Sequence, residues 1–265
     1  MSKPAEAARR SRLKSWLIKA ILPVVLLVLW HLACTQWKIH PLILPHPFSV
    51  LRELWSSVVS GELWLHLAVS LWRCLVGFAA GSLAGIVMGV LLGWYSLLDE
   101  FFDLVVNFLR AIPKTALAPL FIVWFGFGDL PKILLIGLAS FFYTLIPTIE
   151  GVKNIDNLLI KSARSLNAND RQLLLTVVLP SALPSMYAGL RLAAATSLVV
   201  LVFVEIIAGD SGLGFLLEQG RTSLNMPVMY MTLFVLGVVG LLLDWLVRVS
   251  ETKLMPWRKG KTISF

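Results

Sequence analysis

Cysteine is nearly absent, since Cys34 and Cys74 are the 2 cysteines in a chain of 265 residues. The two cysteines are far apart in the sequence, and the 4 histidines form no metal-ligand spacing among themselves. A disulfide framework and a structural zinc site both need clustered ligands. We therefore expect neither a disulfide nor a metal site in this chain.

Enzyme signatures are missing as well. The sequence contains no His-Glu-x-x-His and no Gly-x-Ser-x-Gly motif. Residues 260–262 read Gly-Lys-Thr, like the end of a nucleotide-binding P-loop, but Met255 occupies the position of its first glycine. Residues 212–214, Gly-Leu-Gly, lack a third glycine and are expected to be a turn. The chain is therefore predicted to be neither an enzyme nor the binding site of a cofactor.

Charged residues are also scarce, at 14% of the chain, whereas soluble globular proteins carry about a quarter. Mean hydropathy is +0.83. The apolar residues fall in long runs, with no charge between Arg73 and Asp99 or between Arg221 and Asp244. A helix that crosses a bilayer needs roughly 20 apolar residues. The sequence predicts an all-α, polytopic helical membrane protein.

We predict six transmembrane helices, at about residues 16–35, 66–94, 101–126, 131–150, 182–208 and 227–249. The net charge of +8 is unevenly distributed along this topology. With the N-terminus inside, the 4 external basic residues are Lys38, Arg52, Lys132 and Arg221. The 15 internal ones are Lys3, Arg9, Arg10, Arg12, Lys14, Lys19, Lys153, Lys161, Arg164, Arg171, Arg248, Lys253, Arg258, Lys259 and Lys261. The positive-inside rule thus places both termini in the cytoplasm, and topology explains the basic balance better than nucleic-acid binding does.

The expected organisation is one membrane domain with short additions at each end. Residues 1–15 form a basic cytoplasmic tail, and residues 16–61 form the first transmembrane helix with an external arm. Prolines make that arm extended before a short amphipathic helix at about residues 49–60. Residues 62–252 form the main domain, and residues 253–265 are a second basic tail. No low-complexity tract or internal repeat is visible.

The second predicted span carries five glycines, each four residues after the last. At 3.6 residues per turn they form one smooth stripe along the helix. Such stripes let the backbone of a second helix approach closely. A packing role is favoured over contact with a transported molecule for Gly77, Gly81, Gly85, Gly89 and Gly93.

The third predicted span is interrupted by Pro113 and Pro119. Ionisable residues inside a membrane are by default candidates for function, although they also snorkel or pair for structure. Four cations against one acid would suit an anionic solute. The candidates for the translocation pathway are Arg73, Arg110, Lys114, Arg191 and Glu205.

Between the fourth and fifth spans lies a polar, mixed-charge insert at residues 151–181. Asn154 is placed to cap a helix over about residues 155–166, and Asn167 to end it in the left-handed conformation. Asn169 and Gln172 have the spacing of a capping pair for a second helix that ends near residues 179–180. The insert is predicted to be a helix–turn–helix loop in the cytoplasm. A solvated loop with incidental helicity is the alternative.

The residues of this insert resemble the Glu-Ala-Ala loop of permease subunits in ATP-binding cassette (ABC) importers. Similarity to the nitrate/sulfonate/taurine/bicarbonate branch extends over about residues 40–260 with order and spacing kept. The matching segments are Leu44–Pro47, His66–Arg73, Ile112–Pro119, Ile122–Gly128, Lys161–Asn169, Val178–Pro180, Ala182–Pro184 and Ser211–Gly214.

The resemblance implies a type I importer (MetI-like) permease fold and a place in the bacterial inner membrane. It also implies cytoplasmic ATPase subunits that hold ATP and magnesium, an external solute-binding protein, and a second permease copy. In that family the loop inserts into a cleft of the ATPase, which assigns coupling to Lys161, Ser162, Ala163, Arg164, Ser165, Leu166, Asn167 and Ala168. Two residues depart from the pattern: Lys161 replaces an acid, and Asn167 replaces a glycine.

The resemblance leaves the solute open. A sulfonate or taurine-like anion, nitrate, an aromatic acid and a vitamin precursor all fit the branch, because selectivity rests largely with the binding protein. Self-pairing is the default for the second permease, although pairing with a relative is an alternative. Two further alternatives are less favoured. A membrane-embedded enzyme would need a catalytic constellation that the sequence lacks, and an ATP-independent transporter would leave the insert without a purpose.

Overall fold

The computed structural model describes residues 21–37 and 39–258, which are almost entirely helical and include no strand. The basic tail at residues 1–15, most of the second tail, Lys38 and the Gly-Lys-Thr at 260–262 lie outside the described residues. The chain divides into two compact units. One comprises Met1–Leu63 with Leu217–Leu233, and the other comprises Trp64–Leu216 with Phe234–Phe265.

The first unit contains helix α1, whose described part is Ile21–Thr35, and helix α2, Pro47–Val59. His46 caps α2, because its side chain accepts a hydrogen bond from the Phe48 N–H at 3.4 Å. The Trp30 indole donates to the Pro45 carbonyl at 3.0 Å, and the Tyr230 hydroxyl donates to the Ile43 carbonyl at 3.0 Å. These bonds hold the proline-rich arm within its own unit.

The second unit contains all or part of the remaining helices. They are α3 Glu62–Trp94, α4 Ser96–Ala111, α5 Ala118–Phe125, α6 Asp129–Lys153, α7 Asn157–Ser165, α8 Asp170–Leu173, α9 Leu179–Ala208, α10 Leu213–Thr222 and α11 Met226–Leu254. The boundaries of the second unit at Leu216 and Phe234 divide α10 and α11 between the two units. Short 3₁₀ turns occupy Lys114–Leu117 and Pro256–Arg258, and a π-helical turn occupies Leu174–Val178.

Four of the described helices are long and apolar enough to cross a membrane, namely α3, α6, the continuous Asp170–Ala208 helix and α11. The segments Ser96–Ala111 and Lys114–Phe125 meet the same criteria only as a pair, and their 85° bend fits either a broken fifth span or a re-entrant loop. The predicted first span, residues 16–35, falls partly outside the described residues. Its described part, Ile21–Thr35, is too short to be counted by length alone.

The bend in the third span follows from Pro113. A residue before proline is pushed out of the helical region, and Ile112 accordingly has φ −72° and ψ 124°. The chain therefore leaves α4 at Ala111 and restarts in the 3₁₀ turn at Lys114. The predicted interruption at this place is confirmed.

The predicted end of the second loop helix near residues 179–180 is wrong. The helix runs without a break from Asp170 to Ala208, over 39 residues, so the fifth span begins in the loop itself. Pro180 lies at the start of α9, directly after the π-helical turn. Such a turn alters the local hydrogen-bond ladder, so that the missing proline N–H breaks no regular bond there.

Helix α6 is the centre of the second unit, with 11 buried residues in its 25. On one side it meets α9, where the Ser140 and Ser197 hydroxyls lie 2.9 Å apart. On the other side it meets the glycine stripe of α3. A Cβ on Gly77 would lie 2.8 Å from the Ile136 Cβ, well inside normal carbon–carbon contact.

The rest of the stripe follows α6 in register. A Cβ on Gly81 would collide with the Gly137 backbone, and one on Gly85 with the Thr144 hydroxyl. At Gly89 and Gly93 it would lie 2.7 Å from the Cβ atoms of Thr148 and Val152. The α3 backbone therefore lies directly against α6 over four turns.

We expect Gly81→Ala to destabilise the protein by about 1–3 kcal/mol, because the added methyl meets rigid backbone and must push the two helices apart. The measurement is thermal unfolding of the purified protein in detergent. Gly237→Ala is the matched control, because no atom lies within 4 Å of its added Cβ. Equal melting temperatures for the two variants would contradict a tight α3–α6 contact.

Candidate functional site

The loop between α6 and α9 is an ordered helical hairpin. The Asp156 carboxylate caps α7 by accepting a hydrogen bond from the Leu158 N–H at 2.8 Å. The predicted cap, Asn154, instead ends α6, where its N–H donates to the Glu150 carbonyl at 2.9 Å. The predicted helix over residues 155–166 is therefore shorter, at Asn157–Ser165, because α6 extends further than its apolar pattern indicated.

The turn after α7 has the predicted geometry. Asn167 adopts φ 59°, which is the left-handed conformation that asparagine tolerates better than most residues. Asn169 and Gln172 form a full capping box, with reciprocal bonds of 2.8 and 3.0 Å. Arg164 donates to the Ala168 carbonyl at 3.0 Å and pairs with Asp170. The two short helices are thus held in one fixed arrangement.

One face of this hairpin packs inward. Ile160 and Ala163 lie against a buried cluster composed of Val152, Ile155, Leu173, Val178, Ala182 and Met186. This cluster joins the loop to the ends of α6 and α9. The loop is therefore in close-packed contact with both of those helices.

The other face is exposed and partly apolar. Leu166 is 83% exposed and Leu158 67% exposed, and Leu159 lies beside them. Among the residues predicted to couple, the half-buried ones are Ala163 and Ala168. The exposed ones are Lys161, Ser162, Arg164, Ser165, Leu166 and Asn167. Clustered exposed leucines beside basic side chains are typical of a protein-binding surface.

At the opposite end of the second unit, α3 buries an arginine. Arg73 is 2% exposed, and its Nη1 donates to Glu205 Oε1 at 2.9 Å and to the Ser211 carbonyl at 2.6 Å. Its Nε donates to Asp129 Oδ1 at 2.7 Å. The guanidinium thereby joins α3, the first turn of α6 and the end of α9.

The Glu205 carboxylate is fully buried and surrounded by donors. It accepts from the Ser70 hydroxyl at 2.9 Å and from the Gly214 N–H at 2.9 Å. Gly212, at φ 115°, closes the turn around it, and any Cβ there would collide with the carboxylate. Gly212 lies in a turn as expected, whereas Gly214 belongs to α10.

Three residues of this cluster were not among the functional candidates named from the sequence: Asp129, Lys132 and Asp210. Lys132 is 1% exposed, and its Nζ lies 3.5 Å from Asp210 Oδ1 without a hydrogen-bond partner in the described part of the chain. Hydrogen bonds from its own backbone N–H and from the Ser211 hydroxyl lower the pKa of Asp210. The one available signal was the position of Asp129 and Lys132 in the first turn of an otherwise apolar helix.

The other intramembrane cations have different surroundings. Arg191 pairs with Glu251 of α11. The Lys114 ammonium lies 4.4 Å from the Phe142 ring centroid and donates to the carbonyls of Leu109, Arg110 and Ile112 at 2.5, 3.3 and 2.8 Å. It thus satisfies the carbonyls exposed where α4 ends.

Arg110 lines two cavities, and its side chain makes no hydrogen bond or ion pair with the described residues. The larger cavity, about 470 Å³, is lined by Arg110, Ala111, Ile112, Pro113, Lys114, Phe142, Tyr143, Ile146, Pro147 and Leu192. The smaller, about 170 Å³, is lined by Leu92, Asp99, Asp103, Val106, Asn107, Arg110, Ile146, Ile149, Glu150 and Lys153.

Residues 81–256 match the family described as binding-protein-dependent transport system inner membrane component. The chain belongs to this family. It is therefore a transport subunit of an ABC importer in the inner-membrane class, and not an enzyme. Among the residues that the structure describes, no group of three or more His, Cys, Asp or Glu is placed to hold a metal ion.

Relatives support the assignment across nearly the whole permease. The chain is 33% identical to the aliphatic sulfonates transport permease protein SsuC of Bacillus subtilis (strain 168), over 97% of this chain and 94% of the relative. It is 35% identical to SsuC of Escherichia coli (strain K12), over 92% and 94%. It is also 35% identical to the taurine transport system permease protein TauC of the same strain, over 88% and 86%.

Solved structures agree on the fold. The inward-facing MetNI methionine ABC transporter matches with a TM-score of 0.62 and 21% identity, over 72% of this permease and 97% of that chain. An amino acid ABC transporter with histidines matches with a TM-score of 0.57 and 17% identity, over 71% and 92%. The predicted type I importer permease fold is confirmed.

The buried Arg73–Glu205 pair gives a prediction about stability. Arg73→Gln should destabilise the permease by about 3–5 kcal/mol, because the buried Glu205 carboxylate is left without its cation. Glu205→Gln should cost less, because Arg73 keeps its pair with Asp129 at 2.6 Å. The double variant should lose less than the sum of the two. Thermal unfolding in detergent measures all three.

The control is Arg221→Gln, which breaks the exposed 2.5 Å pair with Glu218 and should leave the melting temperature unchanged. Strictly additive losses in the Arg73 and Glu205 variants would show that the two side chains are not coupled.

Proposed function

We propose that this permease carries a small organic sulfonate, of the alkanesulfonate or taurine type, into the cytoplasm. Similarity to SsuC and TauC over most of the chain is the observation that carries the proposal. Two of the intramembrane candidates, Arg110 and Lys114, line one cavity and pair with no carboxylate of the described residues, which supports the proposal. Of these, Arg110 is the cation with no partner among the described residues, so it is the strongest candidate for contact with the solute.

The energy enters through the loop between α6 and α9. Its exposed leucines, Leu158, Leu159 and Leu166, insert into the ATPase subunit, which holds ATP and magnesium. The continuous helix from Asp170 to Ala208 carries the resulting motion into the membrane. Lys161, where the family has an acid, pairs with a complementary carboxylate on the ATPase. Closure of two ATPase subunits then alternates access to a central cavity.

The assembly contains two copies of this chain related by a two-fold axis, which is the commonest symmetry for such subunits. Both termini are cytoplasmic, because the basic residues concentrate on the side of the coupling loop. The Arg73–Glu205 cluster then faces the external side, where the solute-binding protein docks.

Reconstitution tests the transport role directly. The permease, its ATPase and its solute-binding protein are placed in liposomes and supplied with radiolabelled ethanesulfonate or taurine. We expect ATP-dependent uptake that requires the binding protein. Uptake of a solute that has no sulfonate group, with no uptake of ethanesulfonate or taurine, would overturn the assigned substrate class.

The coupling role predicts that Leu166→Asp abolishes ATP-driven uptake and co-purification of the ATPase. The reason is that a charge on this 83% exposed side chain cannot enter an apolar cleft, whereas folding of the permease should not suffer. The matched control is Leu224→Asp, at a 62% exposed leucine between α10 and α11. Retained ATPase binding by Leu166→Asp would refute the proposed contact.

A further inference from the structure

We propose that the larger of the two cavities beside the break in the third span, here named the Arg110 cavity, is a transient binding site for a monoanion with a short apolar tail. Arg110 is the residue that pairs with the anionic group. This inference rests on the proposed function and adds the place and the chemistry of one step within the membrane. Its support comes from the size, the charge and the lining of the cavity.

The size suits a small solute. At about 470 Å³ the cavity lies within the range of small-molecule sites, which is roughly 300–1,000 Å³. It opens where Pro113 breaks the helix, so irregular backbone lines it, as is tolerated at membrane depth only beside protein or water. Arg110 and Pro113 in its lining are exposed, so the cavity is not sealed in the core.

The charge of the lining is positive. Arg110 and Lys114 line this cavity, and no carboxylate does so among the described residues. The Lys114 ammonium has three protons and already donates to three carbonyls, so it contributes a fixed positive field. The Arg110 guanidinium remains available, and its planar fork can donate to two oxygens of one sulfonate or carboxylate.

Much of the remaining lining is apolar and aromatic. Phe142 is fixed there by the Lys114 ammonium above its ring. Ile146 and the 54% exposed Leu192 complete a surface that fits an alkyl tail of a few carbons. The Tyr143 hydroxyl makes no hydrogen bond with the described residues and offers a further donor to the anionic group. Such a mixture of one charge and an apolar wall selects small amphiphilic anions.

The neighbouring cavity explains how the anion leaves. Asp99, Asp103 and Glu150 line it. Lys153 also lines it, and its Nζ forms an ion pair with Asp99 Oδ2 at 2.5 Å. Asp103 lies seven residues before Arg110 in α4, two turns away on the same helix face. Rotation of the Arg110 side chain toward these acids replaces the anion as its partner. Binding in the Arg110 cavity is consequently weak, as release to the cytoplasm requires.

The test measures equilibrium binding of radiolabelled ethanesulfonate to the permease–ATPase complex in nanodiscs, without the binding protein. Wild type should bind it saturably, and unlabelled ethylammonium should not compete. Arg110→Gln should weaken binding by about ten- to a hundred-fold, the range of a charged hydrogen bond, and Arg110→Lys should restore part of it. Leu192→Trp should weaken binding independently, because the indole fills the cavity.

Arg52→Gln, on exposed α2, is the control and should bind as wild type does. Each variant is checked for an unchanged melting temperature, so that lost binding is not lost folding. Absent binding in wild type, or full binding in both Arg110→Gln and Leu192→Trp, overturns the site while ATP-driven anion uptake still supports the importer. Conversely, a complex that imports no organic anion overturns the proposed function, even if Arg110-dependent binding confirms the site.

Discussion

The backbone contact between α3 and α6 sets the register on which the other features depend. Gly81 lies on Gly137 so closely that neither helix can slide without separating from the other. Helix α6 carries Lys132 at one end, Phe142 at the cavity and Val152 at the loop. A shift of one residue along the stripe would displace all three. Close packing without side chains is the means by which membrane helices obtain such precision, since lipid supplies no hydrophobic drive between them.

Two breaks between helices pose the same physical problem. The break at Pro113 and the glycine turn at Gly212 each leave backbone groups to be satisfied inside or beside the membrane. Lys114 donates to the carbonyls at the end of α4, and the Glu205 carboxylate accepts the Gly214 N–H at the start of α10. Charged side chains thus replace the water that a soluble protein would use. This explains why a permease so poor in charge retains these particular residues.

The intramembrane charges therefore differ in role although the sequence lists them alike. Arg73 and Glu205 form an ion pair within a hydrogen-bond network that connects three helices. Arg191 forms an ion pair with Glu251 of α11. Arg110 differs because its neighbours in space are a cavity and, further along its own helix face, a group of acids. Paired charges stabilise one arrangement of helices, whereas a charge with a choice of partners suits a step in transport.

The sequence by itself determined the membrane class, the interruption at Pro113, the turn at Asn167 and the capping box at Asn169, because each depends on residues close together in the chain. Local physics, namely proline sterics and asparagine's tolerance of the left-handed conformation, decides those features. The same local reasoning predicted the cap of α7 at Asn154 and a helix end near Pro180. Both predictions were wrong, because helix boundaries also depend on packing with distant elements. Only the tertiary structure decided that Asp129 and Lys132 join Arg73, and that Arg110 faces an open cavity. Those outcomes depend on which helices meet, and the partner of a buried charge can lie more than a hundred residues away, as Glu205 does from Arg73.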